Sequence, residues 1–180
     1  MPDSSLHTEY ASFRDDFLAA YEAHADALFR FCLAKTSNRE VALDLTQDTF
    51  TRTWDYLARG RTVESMKAFL FTVARNAITD YYKKKRAIPL SRFDDPETGA
   101  PLSIEDTHAD ILEDMYGAEA FRAVAKLPDA YREVVMLRYA EGLPVQEIAE
   151  ILGEKENTVS VRIKRALVKL EDALTKTKHE

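Results

Sequence analysis

Between Leu143 and Arg165 the chain reads as two short amphipathic helices broken by one glycine, a pattern few folds accommodate. The first half is Leu143-Pro-Val-Gln-Glu-Ile-Ala-Glu-Ile-Leu-Gly153. Pro144 suits a first helical turn, where a missing N–H costs nothing. Ile148, Ala149 and Leu152 then share one face. Ala149 is small enough for close helix approach, and Gly153 suits the left-handed residue that ends a helix. In the second half Val159, Ile163, Ala166, Leu167 and Leu170 form an apolar stripe. Ser160, Arg162, Lys164 and Arg165 face outward or flank that stripe. Arginine can bond guanine through two nitrogens, while lysine and serine suit phosphates. The pattern is that of a DNA-binding helix-turn-helix; a helical hairpin with a solvated basic face is the plainer alternative.

A chain of 180 residues suits one domain or two small ones. Five glycines and long helical periodicities predict an all-α protein. Cys32 is the sole cysteine, which excludes an internal disulfide and argues against a cysteine metal site. The N-terminal Met-Pro-Asp-Ser-Ser lacks the basic and apolar regions of a signal peptide. No apolar run is long enough to span a membrane, so the expectation is a cytoplasmic protein.

A net charge of −6 looks wrong for a DNA binder, but its distribution explains it. From Ala87 to Glu119 nine acids stand against Arg92 alone, a formal −8 that leaves +2 for the rest. Basic clusters lie on both sides of this acidic middle.

Residues 1–11 read as a loose tail. Ser12 can cap a helix to about Ala34, with Phe13, Phe17, Tyr21, His24, Leu28 and Phe31 on its apolar face. Asn38 can cap a second helix through Tyr56, and Ser65 a third that runs into Lys83-Lys-Lys-Arg86. Pro89, Pro96, Gly99 and Pro101 make residues 87–109 a linker. Helix resumes near Asp110 and ends at Leu127. Pro128 opens another helix through Ala140, and the helix-turn-helix follows. The expected domains are therefore 12–86 and 110–180, on a tether that permits compact or extended arrangements.

Three separated motifs resemble those of the extracytoplasmic-function (group IV) sigma factors of bacterial RNA polymerase, in the expected order. The first is Asp44-Leu-Thr-Gln-Asp-Thr-Phe-Thr-Arg-Thr-Trp54, similar to the helix that meets the β′ clamp helices. The match implies docking roles for Asp44, Gln47, Asp48, Phe50, Arg52 and Trp54. An exposed aromatic beside charges makes an interface anchor, although Phe50 and Trp54 also fit a core. The second motif, Phe69 to Arg86, resembles the segment that melts and reads the −10 element. The family often has Trp at the position of Phe69. By this resemblance Asn76 and the loop from Arg61 to Lys67 hold an extruded base. Lys83, Lys84, Lys85 and Arg86 would hold phosphates, or simply end a helix in solvent. Tyr81 and Tyr82 would stack on DNA, or Tyr81 would be core and Tyr82 an ordinary amphipathic side chain.

The third motif, Leu127 onward, resembles the region that reads the −35 element. Its recognition helix implies −35 roles for Lys155, Asn157, Thr158, Ser160, Val161, Arg162, Lys164 and Arg165. Serine often stands in the family where this chain has Lys155, and glycine where it has Asn157; Asn157 would cap a later helix start or touch DNA. Arg132 and Arg138 are candidates for phosphate or β-flap contacts. The acidic linker would thread a nucleic-acid path in polymerase, or act as a solvated spacer. The resemblance implies core RNA polymerase and promoter DNA as partners, an anti-sigma factor as inhibitor, and no small-molecule substrate.

A free-standing helix-turn-helix regulator would explain the third motif but not the first two. An enzyme finds no support: His7, His24, His108 and His179 are scattered, and no nucleophile motif or phosphate loop is present. No cofactor is expected.

Overall fold

The computed structural model describes residues 4–87 and 123–177. Three helices build the first half: α1 (Ser4–Thr36), α2 (Arg39–Ala58) and α3 (Met66–Ala87), each packed on the other two. The second half holds α4 (Asp129–Val135), a π-helical turn (Met136–Ala140), α5 (Val145–Leu152) and α6 (Glu156–Thr177). No strand occurs among the described residues, in keeping with the expected all-α class.

The helix boundaries follow from local chemistry. Ser37, with φ 50°, turns the chain between α1 and α2, and its N–H bonds the Leu33 carbonyl at 2.8 Å. Asn38 then caps α2, accepting from the Val41 N–H at 3.0 Å. Replacing Asn38 with alanine is expected to cost about 1 kcal/mol, read as a fall in thermal midpoint. Ser65 accepts from the Ala68 N–H at 3.3 Å and so starts α3. α2 buries three threonines, Thr46, Thr49 and Thr53. Each hydroxyl donates to the carbonyl four residues back, so none of the three is orphaned by burial.

The first core centres on Leu28, Phe31, Leu33, Leu70 and Phe71, all fully buried. Phe31 and Phe71 meet edge to face with centroids 5.3 Å apart. Cys32 is buried beside them, and burial pushes its thiol up to about 12. It therefore stays protonated at neutral pH and unreactive. Alkylation by iodoacetamide is expected only once the protein is unfolded; labelling at the native rate of a free thiol would contradict this.

Several expectations shift. Residues 4–11 belong to α1 rather than to a loose tail, so the helix starts nine residues before Phe13. Ala87 ends α3, and the remainder of the linker, with the helix expected from Asp110, lies outside the described residues up to 122. Pro128 and Pro144 stand one residue before their helices, in extended backbone, not inside the first turn. The helix after Pro128 does not stay α-helical to Ala140: from Met136 it widens into a π turn.

The two halves do not stand apart. α3 packs against α5, and the buried apolar residues of both halves form one contiguous core. Polar contacts reinforce this. Lys35 Nζ lies 2.7 Å from both Asp129 carboxylate oxygens, and Arg75 Nε donates to Glu133 at 3.2 Å. Of the two arrangements the tether permits, the structure adopts the compact one.

Candidate nucleic-acid and polymerase interfaces

The helix-turn-helix forms as its sequence predicts. Ile148, Ala149 and Leu152 are buried against Val159, Ile163 and Ala166. Gly153 adopts φ 67°, ψ 33°, the left-handed conformation, and the Glu154 N–H returns to the Ala149 carbonyl at 2.9 Å. A β-branched residue there would be strained without any clash. The apolar stripe is narrower than expected, since Leu167 is 39% exposed.

α6 begins at Glu156, so Asn157 lies in its first turn and does not cap a later start. With the stripe buried, Lys155, Asn157, Thr158, Val161, Lys164 and Arg165 are exposed and Ser160 half-buried. Thr158, Val161 and Arg165 follow one helical face, and Asn157, Ser160 and Lys164 follow the next strip over. This is a surface that a major groove could receive. Arg162 differs: its Nη2 lies 2.9 and 2.7 Å from the two carboxylate oxygens of Glu154. An acid in the turn thus holds a basic side chain of the recognition helix. Sequence reasoning missed Glu154, although an acid eight residues before an arginine, across a helix turn, was a readable signal.

The −10 candidates divide. Asn76 is exposed on α3, as are Lys83, Lys84 and Lys85 beyond it. Arg86 lies within α3, but its side chain is outside what the structure describes. Arg61 is exposed, its guanidinium 5.0 Å from the Tyr56 ring centroid. Tyr56 in turn packs on Phe69 at 4.7 Å. Lys67 does not face open solvent: it donates to the Glu141 carbonyl oxygen in the second half. It also lies near His24, whose pKa is lowered by burial first and by the Lys67 charge second.

Tyr82 joins α3 to α1. Its hydroxyl donates to the Lys35 carbonyl at 2.7 Å, closing the last turn of α1. Burial, then Tyr81 and Asp129, push its pKa up, against the opposing charge of Arg132. The hydroxyl is committed to α1, while the residue as a whole is half-buried.

On α2, Asp44, Gln47 and Arg52 are exposed, and Asp48 is half-buried. Arg52 bridges Asp48 at 2.8 Å and reaches toward Asp80 at 3.9 Å. Phe50 is a correction. It is 5% exposed, edge-on to Phe17 at 6.0 Å and tilted on Tyr21 at 4.7 Å, so it serves the core rather than a partner. Trp54 remains half-buried, with Phe13 at 4.4 Å and Phe17 at 5.0 Å.

Arg132 and Arg138 also turn inward. Arg132 is 3% exposed and donates to the Leu127 and Ala125 carbonyls at 2.8 and 3.3 Å. Burial lowers its pKa, with Asp129 and Tyr82 opposing that shift. Arg138 donates to the Leu143 carbonyl at 2.9 Å and pins the entry to the helix-turn-helix. Arg132 is thus closed to a phosphate, while Arg138 is half-buried. Among the described residues no group of side chains could hold a metal ion, and no helix is long and apolar enough to cross a membrane.

Residues 20–88 match the family described as sigma-70 region 2, and residues 118–170 match sigma-70, region 4. The chain is similar to RNA polymerase sigma factor SigV of Bacillus subtilis, 30% identical over 155 residues, covering 85% of this chain and 87% of that one. It is also similar to ECF RNA polymerase sigma factor SigL of Mycobacterium tuberculosis, 32% identical over 150 residues, covering 83% of each. Its fold is similar to that of the sigma factor RpoE from Bartonella quintana, solved in complex with the anti-sigma factor NepR. The TM-score is 0.65 at 23% identity, over 89% of this chain and 97% of that one.

Proposed function

The chain belongs to the extracytoplasmic-function sigma factors of the sigma-70 family, and we propose on that premise how its residues divide the work of starting transcription. It joins core RNA polymerase and directs it to promoters, reading two DNA elements with two helical regions. The observation that carries this reading is the pairing of both regions, in order, with an exposed polar face on each: Asn157, Thr158, Val161, Lys164 and Arg165 on α6, and Asn76 with Lys83 to Lys85 on α3. A free-standing regulator needs only the former.

α6 enters the major groove of the −35 duplex. Arg165 and Asn157 reach base edges, and Lys155, Lys164 and Ser160 reach phosphates. Asn76 and the loop from Arg61 hold a base drawn from the −10 stack, with the amide supplying a donor and an acceptor. Lys83, Lys84 and Lys85 track the backbone, a contribution that weakens with salt. Strand opening draws its energy from these contacts and from docking, with no nucleotide hydrolysis. On α2, Asp44, Gln47, Asp48, Arg52 and the open edge of Trp54 dock on the β′ clamp helices. The protein works in the cytoplasm and is held inactive by an anti-sigma factor until needed.

Docking is tested by titrating core RNA polymerase with the fluorescently labelled protein. Reversing the exposed Asp44 to lysine is expected to weaken assembly at least about tenfold while leaving the helical content unchanged. Equal affinity in both proteins would sink the α2 assignment. A second substitution separates the two DNA steps. Asn76→Ala is expected to impair opening, seen as lost permanganate reactivity at the −10 thymines, with duplex binding by the holoenzyme largely kept. Equal loss of both steps would count against the division of labour.

A further inference from the structure

One cation of the recognition helix is withheld from the surface it borders. Arg162 stands four residues after Thr158 and three before Arg165, so it flanks the face that carries those two exposed side chains. On its other side Val159 and Ala166, three before it and four after, are fully buried. An arginine at such a border is long enough to reach a DNA phosphate. Here it turns back instead. Its Nη2 donates to Glu154 Oε1 at 2.9 Å and lies 2.7 Å from Oε2.

The turn fixes Glu154 for this contact. Gly153 ends α5 in the left-handed conformation, and the Glu154 N–H bonds the Ala149 carbonyl at 2.9 Å. Glu154 is thereby anchored two residues before α6 begins, and its carboxylate meets Arg162 in the second turn of that helix. The two side chains are 23% and 28% exposed. Glu154 Oε2 is itself buried, with no hydrogen bond beyond this pairing among the described residues. Parting the two would leave a shielded carboxylate oxygen without its counter-charge, so the pair holds more firmly than one in open solvent.

We infer that Glu154 masks Arg162 and so sets the sequence-independent part of −35 binding, by removing one phosphate contact that the recognition helix could otherwise make. This rests on the −35 role proposed above for α6. With Arg162 neutralised, base contacts by Arg165 and Asn157 carry a larger share of the binding energy. DNA of any sequence is held more loosely, which shortens the stay on non-promoter sites.

The test uses holoenzyme assembled from core RNA polymerase and the full chain. Fluorescence anisotropy reports binding to two duplex probes, a fragment from which the holoenzyme transcribes and a mixed-sequence duplex of the same length. Glu154→Gln keeps the shape of the side chain and removes its charge. Glu154→Ala removes the acceptor altogether, in case glutamine still holds Arg162. Glu150→Gln, at an exposed acid of α5, matches the charge change. Both Glu154 variants are expected to bind both probes about tenfold tighter than the wild type or Glu150→Gln at about 50 mM salt, and about threefold tighter at about 200 mM. That difference is a salt slope steeper by about one, as one added phosphate contact gives. Adding Arg162→Ala to Glu154→Gln should return affinity and slope to the wild-type values, because both proteins then present no net charge at this pair. Tightening no greater than that of Glu150→Gln, or kept in the double variant, would overturn the masking, since loss of an acid alone would then account for it. Tightening on the promoter fragment alone would also overturn it, because the freed Arg162 would then be reading a base. Arg165→Ala in the same assay separates the two levels. Unchanged promoter binding there would overturn the −35 assignment of α6 and the masking with it, whereas weakened binding there with no gain from the Glu154 variants would overturn the masking alone.

Discussion

Replacing Arg165 with alanine is expected to weaken binding of the holoenzyme to −35 duplex by about 1–3 kcal/mol, roughly fivefold to 150-fold. Arg165 is exposed on α6, one turn beyond Val161, and no ion pair to it is found among the described residues. Its guanidinium can therefore reach a base edge without first breaking an internal bond, which Arg162 cannot do while Glu154 holds it. The substitution should also relax preference at one position of the site. Lys164→Ala should behave differently, with binding lower by a similar amount on every sequence and a salt slope shallower by about one. Neither change should move the thermal midpoint much, since exposed positions away from caps and cores are worth within about 0.5 kcal/mol. Gel-shift titrations over a range of salt with single-base variants of the site distinguish the two. Identical behaviour of the two variants would mean that Arg165 contacts backbone only.

Phe31→Ala carries the largest expected cost in stability. The ring is fully buried and packs edge-on to Phe71. Truncation loses the transfer energy of the ring and leaves a cavity between α1 and α3, together about 3–5 kcal/mol. Whole domains are stable by only about 5–15 kcal/mol, so most of the margin of the first half would go. Urea unfolding should show a lower midpoint with a similar slope. A loss below about 1 kcal/mol would mean that α1 and α3 collapse onto the void, contrary to a core packed tightly around Phe31.

The local features were legible because local chemistry decides them. Gly153 in its left-handed turn, Asn38 at its cap and the Val159, Ile163, Ala166 stripe all rest on interactions within a few residues. What the sequence hid were side chains whose partners lie far along the chain. Lys67 and Arg132 look like free cations in sequence, and their inward roles depend on Glu141 and on carbonyls near Leu127. Tyr82 is amphipathic, and only the end of α1 decides which way its hydroxyl goes. Phe50 sits at a helical spacing that suits a docking strip or a core equally, and Phe17 and Tyr21 settle it. The start of α1, by contrast, was legible and unread: Leu6 and Tyr10 continue the helical spacing of Phe13 and Phe17.

Run-off transcription with bacterial core RNA polymerase on a pool of promoter-containing fragments, with and without the protein, tests the central claim most directly. New transcripts are expected to start at defined sites only when the protein is present, with two shared sequence elements upstream, and to be lost with Arg165→Ala or Asn76→Ala. A protein that binds duplex DNA alone, yet neither joins core polymerase nor yields a new transcript, would contradict it.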